Sequence, residues 1–75
     1  MQIRVTLMGV FKKNTPEGGC LTLSDSATIR NVLHELDLPV ERVHAVLVNG
    51  QFDRDLDRQL NPDDALTVLA PVGGG

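Results

Sequence analysis

Aromatic residues are almost missing from this 75-residue sequence, which has no Trp, no Tyr and only Phe11 and Phe52. Any interior it forms is therefore aliphatic, and stacking on nucleobases is nearly unavailable to it. A strong charge of one sign is lacking as well. The formal net charge is −3, and among the basic residues only Lys12 and Lys13 are adjacent, flanking what reads as a turn. Phosphate backbones are bound by clustered Lys and Arg, so no nucleic-acid partner is expected. The longest uninterrupted apolar run is Ala45 to Val48, far short of the ~20 residues of a membrane helix. The N-terminal stretch has no signal-peptide core, so no membrane association and a cytoplasmic location are expected. The single cysteine, Cys20, excludes an internal disulfide and a Cys-rich metal or iron–sulfur site. With no histidine pairing apparent, Cys20 reads as a strand residue rather than a nucleophile.

What is present is an ordinary globular composition, 41% hydrophobic and 23% charged, far from that of a disordered chain. Gln2 to Met8 alternates, with Ile3, Val5 and Leu7 on one side, which predicts a half-buried first strand. Gly9 to Gly19 carries turn signals, and Cys20 to Ser24 resumes the alternation through Leu21 and Leu23. Thr28 can cap a helix whose Ile29, Val32, Leu33 and Leu36 fall on one stripe. That helix is expected to run about nine residues and to stop before Pro39, since proline disfavours a helical residue ahead of it. His44 to Val48 reads as a strand closed by Asn49-Gly50, the strongest short hairpin signal, with Gln51-Phe52 returning. Asp53 to Leu60 is irregular, Asn61 to Asp64 is a turn cluster, and Ala65 to Ala70 is the last strand. The order β, β, α, β, short β, β predicts an α+β fold of two layers, a mixed sheet of four to five strands on one main helix. The expected core is Ile3, Val5, Leu7, Leu21, Leu23, Ile29, Val32, Leu33, Leu36, Val46, Val48, Leu66 and Val68.

The chain finishes Ala70-Pro71-Val72-Gly73-Gly74-Gly75. Without a Cβ, glycine can pass through a channel too narrow for side chains and follow whatever path a partner imposes. Residues 1–70 are thus read as a single domain and residues 71–75 as a flexible tail. VLVNG from Val46, the D-x-x-L that follows, NPDD from Asn61, a short strand and PVGGG resemble the MoaD/ThiS family of ubiquitin-like sulfur carriers. So do the opening strand, Pro16-Glu17-Gly18 and the helix start at Ala27-Thr28.

The resemblance implies a β-grasp (ubiquitin-like) fold with the first and last strands side by side at the sheet's centre. It also implies that Gly75 is the working residue. A ubiquitin-activating-type enzyme would adenylate its carboxylate, with Pro71, Val72, Gly73 and Gly74 occupying that partner's channel. A sulfur donor would then displace AMP and leave a thiocarboxylate, to be passed to the large subunit of a sulfur-accepting synthase. Molybdopterin biosynthesis is the pathway the lead-in to the tail most resembles, with thiamine thiazole synthesis or another sulfur or tungsten pathway as alternatives. From another class, a protein modifier would join Gly75 to a lysine of a target. The carrier is not expected to be an enzyme or to bind a cofactor.

Strand parity supplies a further expectation. If Val46, Val48, Leu66 and Val68 face the helix, then Leu47 and Leu69 face solvent, and Met8 lies on the polar parity of the first strand. These three are expected to form a partner patch near the root of the tail. No metal site is expected. Asp53, Asp55 and Asp57 are spaced like the first ligands of a calcium loop, but Arg58 stands where that loop needs glycine, and His34 and His44 lack ligand spacing.

Overall fold

A computed structural model describes residues 1–71. Its strands are β1 (Gln2–Leu7), β2 (Cys20–Thr22), β3 (Ala45–Val48), β4 (Gln51–Phe52) and β5 (Ala65–Leu69), with one α-helix, α1 (Ile29–Glu35). They form one sheet in the order β2-β1-β5-β3-β4. β1 and β5 are parallel neighbours while every other pairing is antiparallel, so the sheet is mixed. This is the β-grasp arrangement, with first and last strands adjacent and β5 central.

Helix α1 begins as its sequence dictates. Thr28 accepts a hydrogen bond at its Oγ1 from the Asn31 N–H, and the Thr28 N–H donates to Asn31 Oδ1, a reciprocal cap that satisfies two otherwise orphaned donors. The end differs from expectation. The helix has seven residues rather than about nine, and the stop is set upstream of Pro39. Asp37 takes a left-handed φ of 58°, the Leu38 N–H donates to the Leu33 carbonyl at 2.8 Å, and the Asp37 N–H donates to that of His34 at 3.1 Å. These two bonds make a Schellman motif, with Asp37 where glycine is usual. The motif turns Leu38 inward, where it is buried.

The Gly9 to Gly19 connection is more ordered than a loop. It contains two 3-10 turns, Gly9–Asn14 and Glu17–Gly19, and the first buries Phe11. Residues 53–60 lace along the start of the helix: the N–H groups of Ile29 and Arg30 donate to the carbonyls of Arg58 and Leu56, and Leu60 N–H donates to Ala27. The core lies between α1 and one face of the sheet. It contains the expected residues except Leu21, on the three-residue edge strand β2, and Leu23, just beyond it, which are only partly buried and pack against its margin. Phe11, Ala27, Leu38, Leu60 and Ala70 join it unannounced.

Candidate functional site

The tail leaves the sheet from its central strand. Val46, Val48, Leu66 and Val68 are buried under the helix, so their strand neighbours Leu47 and Leu69 point to the open face. The register sets Leu47 opposite Thr67 on one side and Phe52 on the other, and Leu69 opposite Ala45. Met8 continues β1 in extended conformation, and its N–H donates to the Val68 carbonyl, which places Met8 beside Leu69. The three expected patch residues therefore share one face.

Their exposure is uneven. Met8 is 42% exposed, but Leu47 and Leu69 are half-buried rather than fully open to solvent. Both sit on interior strands, where cross-strand neighbours cover part of each side chain. Two larger exposures escaped the sequence reading, Phe52 at 72% and Val10 at 65%. A signal for Phe52 existed. Asn49 and Gly50 both take positive φ, 53° and 84°, giving the two-residue hairpin that pairs Val48 with Gln51 and Leu47 with Phe52. That register alone puts Phe52 on the Leu47 face. Val10 had no such signal, because it lies on a 3-10 turn.

At the root of the tail, Met8, Gly9, Val10, His44, Leu69 and Pro71 line an apolar groove of about 410 Å³. A larger groove, about 650 Å³, runs past Val40, Val43, Phe52, Arg54 and Leu56 at the β4 edge; among the described residues it shares only His44 with the first. Gly9 is held at φ +64°, and a Cβ there would lie 3.1 Å from Ala70 Cβ, so the β1 exit and the tail root approach closely because residue 9 has no side chain. Of the tail residues expected to act, Pro71 is described and exposed, whereas Val72, Gly73, Gly74 and Gly75 lie outside the described residues.

The remaining polar candidates have structural partners. Asp53 accepts the Asp55 N–H and pairs with Arg58, Asp55 accepts the Asp57 N–H, and Asp57 pairs with Arg30. The Arg58 guanidinium, with help from the Asp55 N–H, holds the Asp53 carboxyl below its usual range. Among the described residues no group of three His, Cys, Asp or Glu is placed to hold a metal ion. His34 and His44 are exposed, and Cys20 is partly buried in β2. No helix among the described residues is long and apolar enough to cross a membrane. Asp64, read as part of a turn, does more than close it. Its buried carboxylate accepts Asn49 Nδ2 at 2.9 Å and the Asn61 N–H at 2.8 Å, tying the β3–β4 turn to the start of β5.

The sequence model of the ThiS family matches residues 6–75. The chain belongs to the ThiS family. In fold this ThiS-family chain is similar to SAMP1 from Haloferax volcanii, with a TM-score of 0.74 at 18% identity over all of both chains. A further crystal structure, of small archaeal modifier protein 1 from the same organism, gives 0.71 at 17% identity, over 95% of this chain and 98% of that one. A chain from the complex of subunits 1 and 2 of molybdopterin-converting factor from Helicobacter pylori is also similar, with a TM-score of 0.66 at 26% identity over all of both chains. No curated protein sequence matches. The chain is thus a ubiquitin-like protein of the sulfur-carrier family, a type of small protein that is generally non-catalytic.

Proposed function

We propose that this protein is a cytoplasmic sulfur carrier whose Gly75 carboxylate is adenylated and then converted to a thiocarboxylate for molybdopterin synthesis. The observation that carries the reading is the ThiS-family match running through Gly75, so that the three terminal glycines fall inside the family pattern. A carboxylate oxygen is a poor leaving group. Attack of the Gly75 carboxylate on the α-phosphate of ATP expels pyrophosphate and makes AMP the leaving group, which a sulfur donor can then displace. The carrier need supply only a threadable terminus and a surface that seats the partner. Pro71, Val72, Gly73 and Gly74 serve the first need, and Met8, Leu47 and Leu69, enlarged by Phe52 and Val10, serve the second. The partners are an adenylating enzyme and the large subunit of a synthase. The similarity to a chain from the two-subunit molybdopterin-converting factor favours that pathway over thiamine thiazole synthesis.

Intact mass after incubation with an adenylating enzyme, ATP, Mg²⁺ and a sulfur donor tests the proposal, since exchange of oxygen for sulfur adds about 16 Da through the activated acyl group. Gly74→Val, which puts a branched side chain into the channel, is expected to remain unmodified. A mass unchanged in the wild-type chain would refute the carrier. A second reading, a protein modifier, is favoured by the likeness to small archaeal modifier protein 1, and a ladder of larger conjugates would select it.

A further inference from the structure

Of the four asparagines in this chain, at positions 14, 31, 49 and 61, only Asn49 is followed by glycine. Asparagine is thermolabile, because its amide is lost when the next residue's backbone nitrogen attacks the side-chain carbonyl carbon. Asn61 precedes Pro62, which has no N–H to give up. Thr15 and Val32 crowd the same approach at Asn14 and Asn31 with branched side chains. Gly50 presents a nitrogen with no Cβ beside it. Asn49 and Gly50 are both exposed, so burial does not keep water from this turn.

Hydrogen bonding is what restrains the amide. Asn49 grips residues 64–65 at three points. Its N–H donates to the Ala65 carbonyl at 2.8 Å, its Oδ1 accepts the Ala65 N–H at 2.9 Å, and its Nδ2 donates to Asp64 Oδ1 at 2.9 Å. Asp64 is itself fixed, since its other carboxylate oxygen accepts the Asn61 N–H at 2.8 Å and the residue is only 7% exposed. Both polar atoms of the Asn49 amide are therefore engaged, and a rotation that brings Cγ onto the Gly50 nitrogen has to break their bonds.

We propose that Asn49 is a deamidation site held closed by Asp64 and Ala65, and that the reaction, once it occurs, disables the lock that restrained it. The Gly50 nitrogen, having given its proton to solvent base, attacks Asn49 Cγ, and the new C–N bond closes a five-membered succinimide. The Cγ–Nδ2 bond breaks with its electron pair on nitrogen, which takes a proton from water and leaves as ammonia. Water then opens the ring at either carbonyl, giving aspartate or isoaspartate. The net change is amide plus water to carboxylate plus ammonium, with nothing oxidised or reduced. In the aspartate product an acceptor replaces the Nδ2 donor facing Asp64, so two carboxylates meet where a hydrogen bond stood. The isoaspartate product adds a backbone carbon to the two-residue turn that sets Leu47 opposite Phe52, and so disturbs the pairing that builds the open face.

The full chain, incubated in mildly alkaline buffer both folded and unfolded in urea, provides the test, with peptide mapping following the gain of about 1 Da as an acid replaces an amide. The modification is expected at Asn49, and at least about tenfold more slowly in the folded chain, where the turn must first open. Asp64→Ala should raise the folded-state rate beyond what its unfolded fraction in urea denaturation accounts for. Should that variant fail to fold by circular dichroism, Asp64→Asn decides in its place. An amide has one acceptor oxygen and cannot accept both bonds, so its rate should rise above that of the wild-type chain. Asn49→Asp, which reproduces one product, should lower the urea midpoint. Equal rates in the folded and unfolded chain, modification centred on another asparagine, or Asp64 variants no faster than their unfolded fraction explains would each overturn the lock. An unchanged or raised midpoint in Asn49→Asp would overturn its loss on reaction.

Discussion

The two faces of the sheet are built from similar residues and have opposite fates. On one, Ile3, Val5, Leu7, Val46, Val48, Leu66 and Val68 are at most 4% exposed under α1. On the other, Met8, Leu47, Phe52 and Leu69 are as apolar but have no element over them among the described residues. Burial of aliphatic surface is non-directional, so residue type does not separate the faces. The single helix does, because seven residues can cover only one side of five strands. The open side keeps apolar area that folding does not use, and such surface is characteristic of interaction sites.

The contrast breaks most sharply at the centre of the covered face. Leu33→Ala removes a fully buried side chain and is expected to lower stability by ~2–5 kcal/mol in urea denaturation, as core leucine truncations do. In a domain this small that approaches the whole margin. A loss under ~1 kcal/mol would mean that the helix is not what holds the covered face. Next in size is Asp64→Ala, which strands Asn49 Nδ2 and the Asn61 N–H. It should cost about 1–3 kcal/mol by the same measurement, and hydrogen exchange should show the Asn49-Gly50 turn opening ahead of the rest.

On the open face the same kind of change should act differently. Leu47→Asp and Leu69→Asp are expected to cost about 1 kcal/mol or less, within the range of strand-surface substitutions, and to leave the circular dichroism spectrum intact. Binding to the adenylating enzyme and to the synthase large subunit should nevertheless fall at least about tenfold, a loss of about 1.4 kcal/mol. Variants that unfold would make the open face part of the core, and variants that fold and bind normally would remove it from the interaction.

That asymmetry was readable in advance wherever a period was present. Alternation gave β1, β3 and β5 their inward residues, the 3.6-residue stripe gave α1 its buried face, and Thr28 marked its start. Failures fell where no period exists. Phe11, Leu38 and Leu60 are single apolar residues in irregular segments, set by a 3-10 turn, by the Schellman motif after α1 and by the Leu60 N–H bond to distant Ala27, respectively. The helix end was misplaced because a proline is visible in a sequence, whereas an aspartate adopting left-handed φ at position 37 is not. Asp64 was read locally because its main partner, Asn49, lies fifteen residues away. At the site, parity found the face and missed its extent. Phe52 required combining the hairpin turn with parity.

The smallest expected effect lies outside both faces, in the Asp53–Arg58 pair on the segment that laces the helix start. Its Arg58 side chain is 43% exposed, so solvent screens the pair and its contribution to stability is modest. The sign can still be worked out. The Arg58 hydrogen bond, then the Asp55 N–H, hold the Asp53 carboxyl below its ordinary value. A carboxyl depressed on folding binds its proton more readily in the unfolded chain. The stability it contributes is therefore fully present above the unfolded value, about pH 4, and is lost as pH falls through the lower folded one. Asp53→Asn should leave the urea midpoint almost unchanged at neutral pH relative to the other variants. Below about pH 4 its stability should fall less steeply than that of the wild-type chain. If the two acid limbs run parallel, the pair titrates alike in both states, and residues 53–60 are held onto the helix by the backbone hydrogen bonds and the Arg30–Asp57 pair without help from Asp53.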